Sequence, residues 1–385
     1  MATVTLGITG GIAAYKIPDL IRQFRKLGIE IHCIVTETAL RFVTAETLAV
    51  VSETDVVVPA TSGSSIIRHL HARQSSDLMV VAPATANFVA KAVAGLADSP
   101  LLSAFLAFPG RKLIVPAMHD TMWLNPATQR NITQLEAWGV EIIGPDTGAL
   151  ASGDFGVGRM IDSEFIILKA QLMLLGTPRL NDRRVMVGLG GTREAIDPVR
   201  VISNLSTGKL GSTLAHALAL QGAKVSVVST IPQAKNPHIA NVQMVSSAQE
   251  LKSGISEIWP NQDILYMPAA VSDFKPAHQS SDKIKRSSRM TIELDPTEDI
   301  IGGLVRLPHQ RIVGFCLESD TKLRESAIQK LKTKRLDAIV ANTPTQFGSD
   351  TRDFWVITPH GETEYTGLSL VETASVLIAL GNDIF

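Results

Sequence analysis

The residues best suited to chemistry follow apolar runs. Val115–Trp123, VPAMHDTMW, sets His119 beside Asp120 and two methionines in a turn. An imidazole titrating near neutrality can serve as acid, base or anion partner there, and turn packing accounts for it equally well. Gly7–Lys16, GITGGIAAYK, places Gly10 and Gly11 where a strand hands over to a helix. Free N–H groups and the positive helix end favour a phosphate at such a turn, although a tight turn without ligand fits as well. The spacing is not the Gly-x-Gly-x-x-Gly of dinucleotide folds. Thr36 and Thr38, and further on Thr85 and Asn87, end two more strand-like runs and can bind phosphate or cap helices. His69 and His71 stand two apart, off a common helix face and without a third ligand, which argues against a metal site. Ala151–Met160, ASGDFGVGRM, has three glycines and Arg159, as in a loop able to fold over a pocket.

In the second half Gly190–Gly211 is a long Gly/Ser/Thr/Asn turn before a helix, rich in phosphate donors but without the P-loop spacing. Asp273 follows a strand. Lys283–Arg289, KIKRSSR, carries four positive charges in seven residues, either a solvated loop or a triphosphate clamp. Lys330 and Lys334 are spaced i,i+4, hence on one helical face.

Short Val/Ile-rich runs position these turns. In the first half they are VTLGIT, IEIHCIV, LMVVAPA, KLIVPAM and VEIIGP, separated by helix-length stretches. The alternation restarts at RRVMVGLGG and continues through AKVSVVST, DILYMPAA, RIVGFCLE and DAIVANT. Continuous apolar strands separated by helices predict parallel sheets covered on both faces, so two doubly wound, Rossmann-like α/β domains are expected. The Gly/Pro/polar stretch 175–184 is the predicted seam, dividing residues 1–183 from 184–385. Ligands in such folds bind beyond the carboxyl ends of the strands, where the turns above lie.

Bulk composition narrows the class. Lys+Arg 36 against Asp+Glu 37 leaves a net charge of -1, so no overall electrostatic footprint for nucleic acid exists. Apolar runs are too short for a membrane span, and the first residues lack the basic region of a secretory leader. Cys33 and Cys316 both lie in apolar runs without zinc spacing, which points to the reducing cytoplasm.

Taken in order along the chain, these pieces resemble the bifunctional enzymes of coenzyme A biosynthesis that fuse phosphopantothenoylcysteine decarboxylase to phosphopantothenate–cysteine ligase. TGGIAAYK, APATAN, PAMHDTMW and GDFGVGRM carry the resemblance in the first half. GGTREAIDPVRVISN, STGKLG, PAAVSDFKP and KIKR carry it in the second. It implies a flavodoxin-like N-terminal domain in which Gly10, Gly11, Ile12, Ala13, Thr36 and Thr85 hold FMN, the electron sink for decarboxylation. His69 corresponds to the family's active-site histidine, while His71 has no counterpart. His119 replaces the family's commoner asparagine for the substrate carboxylate. Ser152 replaces a cysteine that protonates the enethiolate; a hydroxyl is far less acidic than a thiol of pKa about 8.5. Either His119 or a water then supplies the proton, or that step is slow.

For the C-terminal domain the resemblance implies CTP-dependent condensation of 4'-phosphopantothenate with cysteine through an acyl-cytidylate. Asn204 would stabilise that intermediate and Lys283 assist its formation, with Lys285 and Arg286 beside it. Met267, Pro268, Ala269, Asp273, Glu298, Asp299, Ile300, Ile301, Phe315, Lys330 and Lys334 fall where the family binds CTP. Magnesium is expected with the triphosphate, its protein ligands unassigned. The family further implies a cytoplasmic homo-oligomer acting on small molecules, without nucleic acid or membrane. Rival readings are a ligase whose decarboxylase is impaired at Ser152, and a non-catalytic regulatory flavoprotein. The glycine spacing argues against a nicotinamide oxidoreductase.

Overall fold

The computed structural model describes residues 2–59, 76–232, 239–286, 289–344 and 351–385. The chain divides into two units, 1–176 and 177–385. Residues 177–183 pack with the second unit, Leu180 N–H donating to the Gln221 carbonyl at 2.8 Å.

In the first unit the apolar runs form β1 (Thr3–Ile8), β2 (Glu30–Val35), β3 (Leu78–Ala84), β4 (Arg111–Pro116) and β5 (Glu141–Ile142). They build a parallel sheet in the order β2-β1-β3-β4-β5. Every residue of β1 and β3 is buried, as a sheet covered on both faces requires. The helices are α1 (Ile17–Lys26), α2 (Ala45–Ser52), α3 (Ala86–Val93), α4 (Pro100–Ala107), α5 (Asp120–Trp123), α6 (Pro126–Ala137) and α7 (Ser163–Leu174). Side chains start several of them: Thr85 caps α3, Ser99 caps α4 and Asn125 caps α6, each accepting a backbone N–H from the first turn. An antiparallel hairpin, β6 (Asp146–Ala149) with β7 (Phe155–Arg159), stands outside the sheet. The chain leaves β1 for β2 on one side and enters β3 on the other, so the strand order reverses between β1 and β3.

The second unit runs through β8 (Arg184–Leu189), β9 (Arg193–Ala195), β10 (Val201–Ser203), α8 (Lys209–Leu220), β11 (Lys224–Ser229) and β12 (Ile239–Met244). It continues with α9 (Ala248–Ile258), β13 (Ile264–Tyr266), β14 (Phe274–Pro276), β15 (Leu294–Pro296), β16 (Arg311–Leu317) and α10 (Leu323–Thr333). β17 (Ala338–Asn342), β18 (Thr351–Thr358), β19 (Gly361–Ser369) and α11 (Leu370–Asp383) complete it. Its sheet has the order β12-β11-β8-β13-β16-β17-β18-β19. Pairing is parallel up to β17, and the last two strands add an antiparallel hairpin absent from the sequence-based expectation. β9 with β10 and β14 with β15 form two separate two-stranded antiparallel sheets. Here the order reverses between β8 and β13. Cys33 and Cys316 are both free and buried, and burial pushes the Cys33 thiol up to about 12, an unreactive structural group. No helix of the described residues is long and apolar enough to cross a membrane.

Candidate active sites

At the reversal between β1 and β3 lies a cavity of about 690 Å³. Gly10, Gly11, Ile12 and Ala13 line one side, Thr85 a second, Met118 and His119 a third, and Ser152 and Arg159 of the β6–β7 hairpin a fourth. Gly10 is fixed by space: a Cβ there would overlap the Thr38 side chain. Thr85 both caps α3 and faces the cavity, its N–H donating to Thr9 Oγ1 at 3.1 Å. Thr36 is not among the described lining residues; its hydroxyl lies 3.2 Å from that of Thr38, on which Gly10 packs. His69 and His71 lie outside the described residues.

His119 begins the short helix α5. Its Nε2 lies 3.1 Å from Asp154 Oδ2, and Ser152 Oγ donates to the same oxygen at 2.9 Å. Hydrogen bonds from His119 and then Ser152 hold the Asp154 carboxyl below its usual range, against slight desolvation. The hairpin is anchored here as well, Met118 N–H donating to the Gly158 carbonyl at 3.0 Å. Arg159 Nη2 reaches Asp146 at 2.6 Å, while its Nε is buried without an acceptor beside the cavity. The cavity thus offers N–H and guanidinium donors to an anionic, acceptor-rich ligand.

A second cleft, about 640 Å³, opens at the reversal between β8 and β13. Asn204, Met267, Ala269, Asp273, Glu298, Asp299, Ile300, Ile301, Phe315, Lys330 and Lys334 all line it. Asn204 is oriented by Nδ2, which donates to the Val271 carbonyl at 2.9 Å. Lys334 Nζ pairs with Asp299 at 3.0 Å, and Lys252 pairs closely with Glu298. The Lys252 ammonium holds the Glu298 carboxyl below its usual range. For Asp299, burial pushes upward, but bonds from Lys334 and Gly302 outweigh it and the net shift is downward. Lys330, which also lines the cleft, has its Nζ 3.5 Å from Cys316 Sγ. Gly208, at φ 67, opens α8 without a side-chain cap, the left-handed conformation that glycine adopts at least cost.

Pro268 and Lys283 are not among the described residues lining this cleft. Lys283 sits on the segment before β15, tied to the turn after β9 through its neighbour Ile284: Ile284 N–H donates to Asp197 Oδ2 at 3.2 Å, and Arg200 Nη2 donates to its carbonyl at 3.0 Å. Sequence reasoning overlooked Asp154 and Asp197. Both occur in quoted motifs, yet their partners are 35 and 87 positions away. Among the described residues no group of three or more His, Cys, Asp or Glu is placed to hold a metal ion.

Residues 1–171 match the family model Flavoprotein, and residues 180–380 match the DNA/pantothenate metabolism flavoprotein C-terminal domain. The coenzyme A biosynthesis bifunctional protein CoaBC of Mycobacterium tuberculosis is 39% identical over 378 residues, covering 93% of this chain and 90% of that protein. Its Escherichia coli K12 counterpart is 36% identical over 361 residues, 90% and 88% of the two chains. Among solved structures, the C-terminal domain of a CoaBC is 32% identical, covers 53% of this chain and 97% of its own, and has a TM-score of 0.44. The FMN-dependent cysteine decarboxylase SpaF is 27% identical, covers 46% and 97%, and has a TM-score of 0.39.

Proposed function

The chain belongs to the family of coenzyme A biosynthesis bifunctional proteins, with decarboxylase and ligase activities, and we propose from that premise how its two sites share the work. The first unit binds FMN and decarboxylates phosphopantothenoylcysteine to 4'-phosphopantetheine. The second condenses 4'-phosphopantothenate with cysteine at the expense of CTP. The observation that supports this most is convergence: residues from Gly10 to Arg159 meet on one cavity, and residues from Asn204 to Lys334 on another.

The first cavity suits a flavin phosphate at the Gly10–Ala13 turn, with Thr85 beside it and Thr36 supporting Thr38 behind. FMN, when bound there, supplies the reversible two-electron oxidation that lets the cysteine carboxylate leave as carbon dioxide. Arg159 offers a positive partner and His119 a ring N–H donor for an anionic substrate, and His69 is the remaining candidate base. The hairpin carrying Ser152 covers the reacting end and limits the access of water. The proton that restores the product comes from His119 or from a water beside Ser152.

In the second unit a free carboxylate is a poor electrophile at neutral pH, and acyl-cytidylate formation provides the leaving group. Asn204, Lys283 and Asp273 serve that step, the last as a nucleotide contact. Met267, Pro268 and Ala269 flank the base, while Glu298–Ile301, Phe315, Lys330 and Lys334 complete the nucleotide cleft. Lys283, not among the described residues lining the cleft, would have to move towards it to serve acyl-cytidylate formation. Cysteine's amine then displaces CMP. Magnesium accompanies the triphosphate. A cytoplasmic homo-oligomer completes the reading.

The test is to supply the full chain with 4'-phosphopantothenate, cysteine and CTP. The expected result is a yellow protein that forms pyrophosphate and CMP, then a product lighter than phosphopantothenoylcysteine by CO2 alone. A colourless protein that releases no pyrophosphate would overturn it.

A further inference from the structure

The imidazole facing the first cavity already has a carboxylate on it, and that carboxylate belongs to the chain. Asp154 Oδ2 is 3.1 Å from His119 Nε2 and 2.9 Å from Ser152 Oγ, so one oxygen ties the β6–β7 turn to the opposite wall. The other ring nitrogen, Nδ1, stands 2.7 Å from Asp120 Oδ1 and 3.0 Å from Thr121 Oγ1. Thr121 N–H lies 3.4 Å from Nδ1 but 2.6 Å from Asp120 Oδ1, so the carboxylate is its better acceptor and Nδ1 is left to donate. Both ring nitrogens thus lie within hydrogen-bond reach of a carboxylate oxygen. Arg159 pairs through Nη2 with Asp146 and Asp162, and Lys16 lines the same cavity with the glycine turn. Asp154 itself is 63% exposed, so parting it from His119 costs little.

This rests on the reading above, in which the substrate enters the first unit as a carboxylate and leaves without it. We propose that Asp154 is a specificity-determining residue that distinguishes the two by competing for His119 Nε2. In the ligand-free enzyme Asp154 holds the imidazole. An incoming substrate carboxylate takes its place and frees the hairpin. Once that carboxylate has gone as carbon dioxide, nothing on the product competes for the imidazole and Asp154 retakes it. Only ion-pair partners are exchanged; the C–C bond is broken by the decarboxylation itself.

The experiment compares two thiol-free ligands that cannot turn over: phosphopantothenoylalanine, which keeps the carboxylate, and its N-ethyl amide analogue, which lacks it. Binding to the full-length holoenzyme is followed by the absorbance of the bound flavin. Asp154→Ala should tighten the carboxylate ligand about threefold or more, the scale of one exposed ion pair, and move the ethyl amide by less than about twofold. Asp154→Asn, which keeps the side chain's shape, should give the same sign. Unchanged or weaker binding of the carboxylate ligand in both variants overturns the competition, as does equal tightening of both ligands. If the unaltered protein carries no flavin and binds neither ligand, the decarboxylase reading falls with it.

Discussion

Asp197 receives the backbone N–H of Ile284 on Oδ2 at 3.2 Å, clamping a turn of the second unit to a segment 87 positions away. The same carboxylate accepts the N–H groups of Val199 and Arg200 at 2.8 Å, and Arg200 closes the clamp by donating to the Ile284 carbonyl at 3.0 Å. Burial pushes the Asp197 carboxyl up, but the three N–H donors and the Arg200 charge outweigh it, so it stays ionised below the usual range. Ile284 lies between Lys283 and Lys285, so the clamp sets where those ammonium groups are presented. Asp197→Ala should therefore lower ligase kcat by about tenfold or more, as misplacing a reacting group does. Decarboxylation of supplied phosphopantothenoylcysteine should be unchanged. Assaying both half-reactions on one preparation checks this, and a parallel fall in both would refute the clamp.

Lys283 itself allows a sharper separation. Lys283→Gln keeps a polar side chain, one atom shorter, but removes the charge proposed to assist attack on the CTP phosphate. Pyrophosphate release should fall by at least about a hundredfold, the usual scale for losing one charge-stabilising donor. Carbon dioxide release from phosphopantothenoylcysteine should continue at the parental rate. Equal loss of both activities would argue against separate sites.

Ser152 lines the first cavity, with its hydroxyl directed at Asp154. A thiol of pKa about 8.5 is a much better proton donor than that hydroxyl. Ser152→Cys should speed restoration of the product and lower the share of material lacking two further hydrogens. Mass spectrometry of the products after a single turnover measures that share directly. A share that is unchanged or higher would place the proton source elsewhere.

Much of this was legible because parallel strands buried on both faces read as unbroken apolar runs, as Leu78–Ala84 does, and because their post-strand turns line the two cavities. Thr85 could be anticipated both as a cap and as a wall of the cavity, since both roles follow from its place after β3. The β19 edge could not: GETEYTGLS has no apolar period, and most of its residues are exposed. The pairing of His119 with Asp154 and the Asp197 clamp were also invisible. Neither depends on periodicity or local spacing, and each forms only when distant turns meet.

A final prediction concerns stability. His216 lies on α8, 6% exposed, and burial pushes its imidazole down to about 4 from 6.5. Between those values the unfolded chain binds a proton that the folded chain refuses. The contribution is therefore complete above about pH 6.5, shrinks as pH falls, and levels off near pH 4. Its slope is about 1.4 kcal/mol per pH unit, and its full size is on the order of 3 kcal/mol. His216→Leu removes the titrating group while filling a similar space. Urea unfolding of the two proteins at about pH 7.5, 6, 5 and 4.5 should give stabilities whose difference shifts steadily in favour of the variant as pH falls. A difference that stays constant across that range would mean that the folded and unfolded chains take up the His216 proton alike, with no depression of the imidazole by burial.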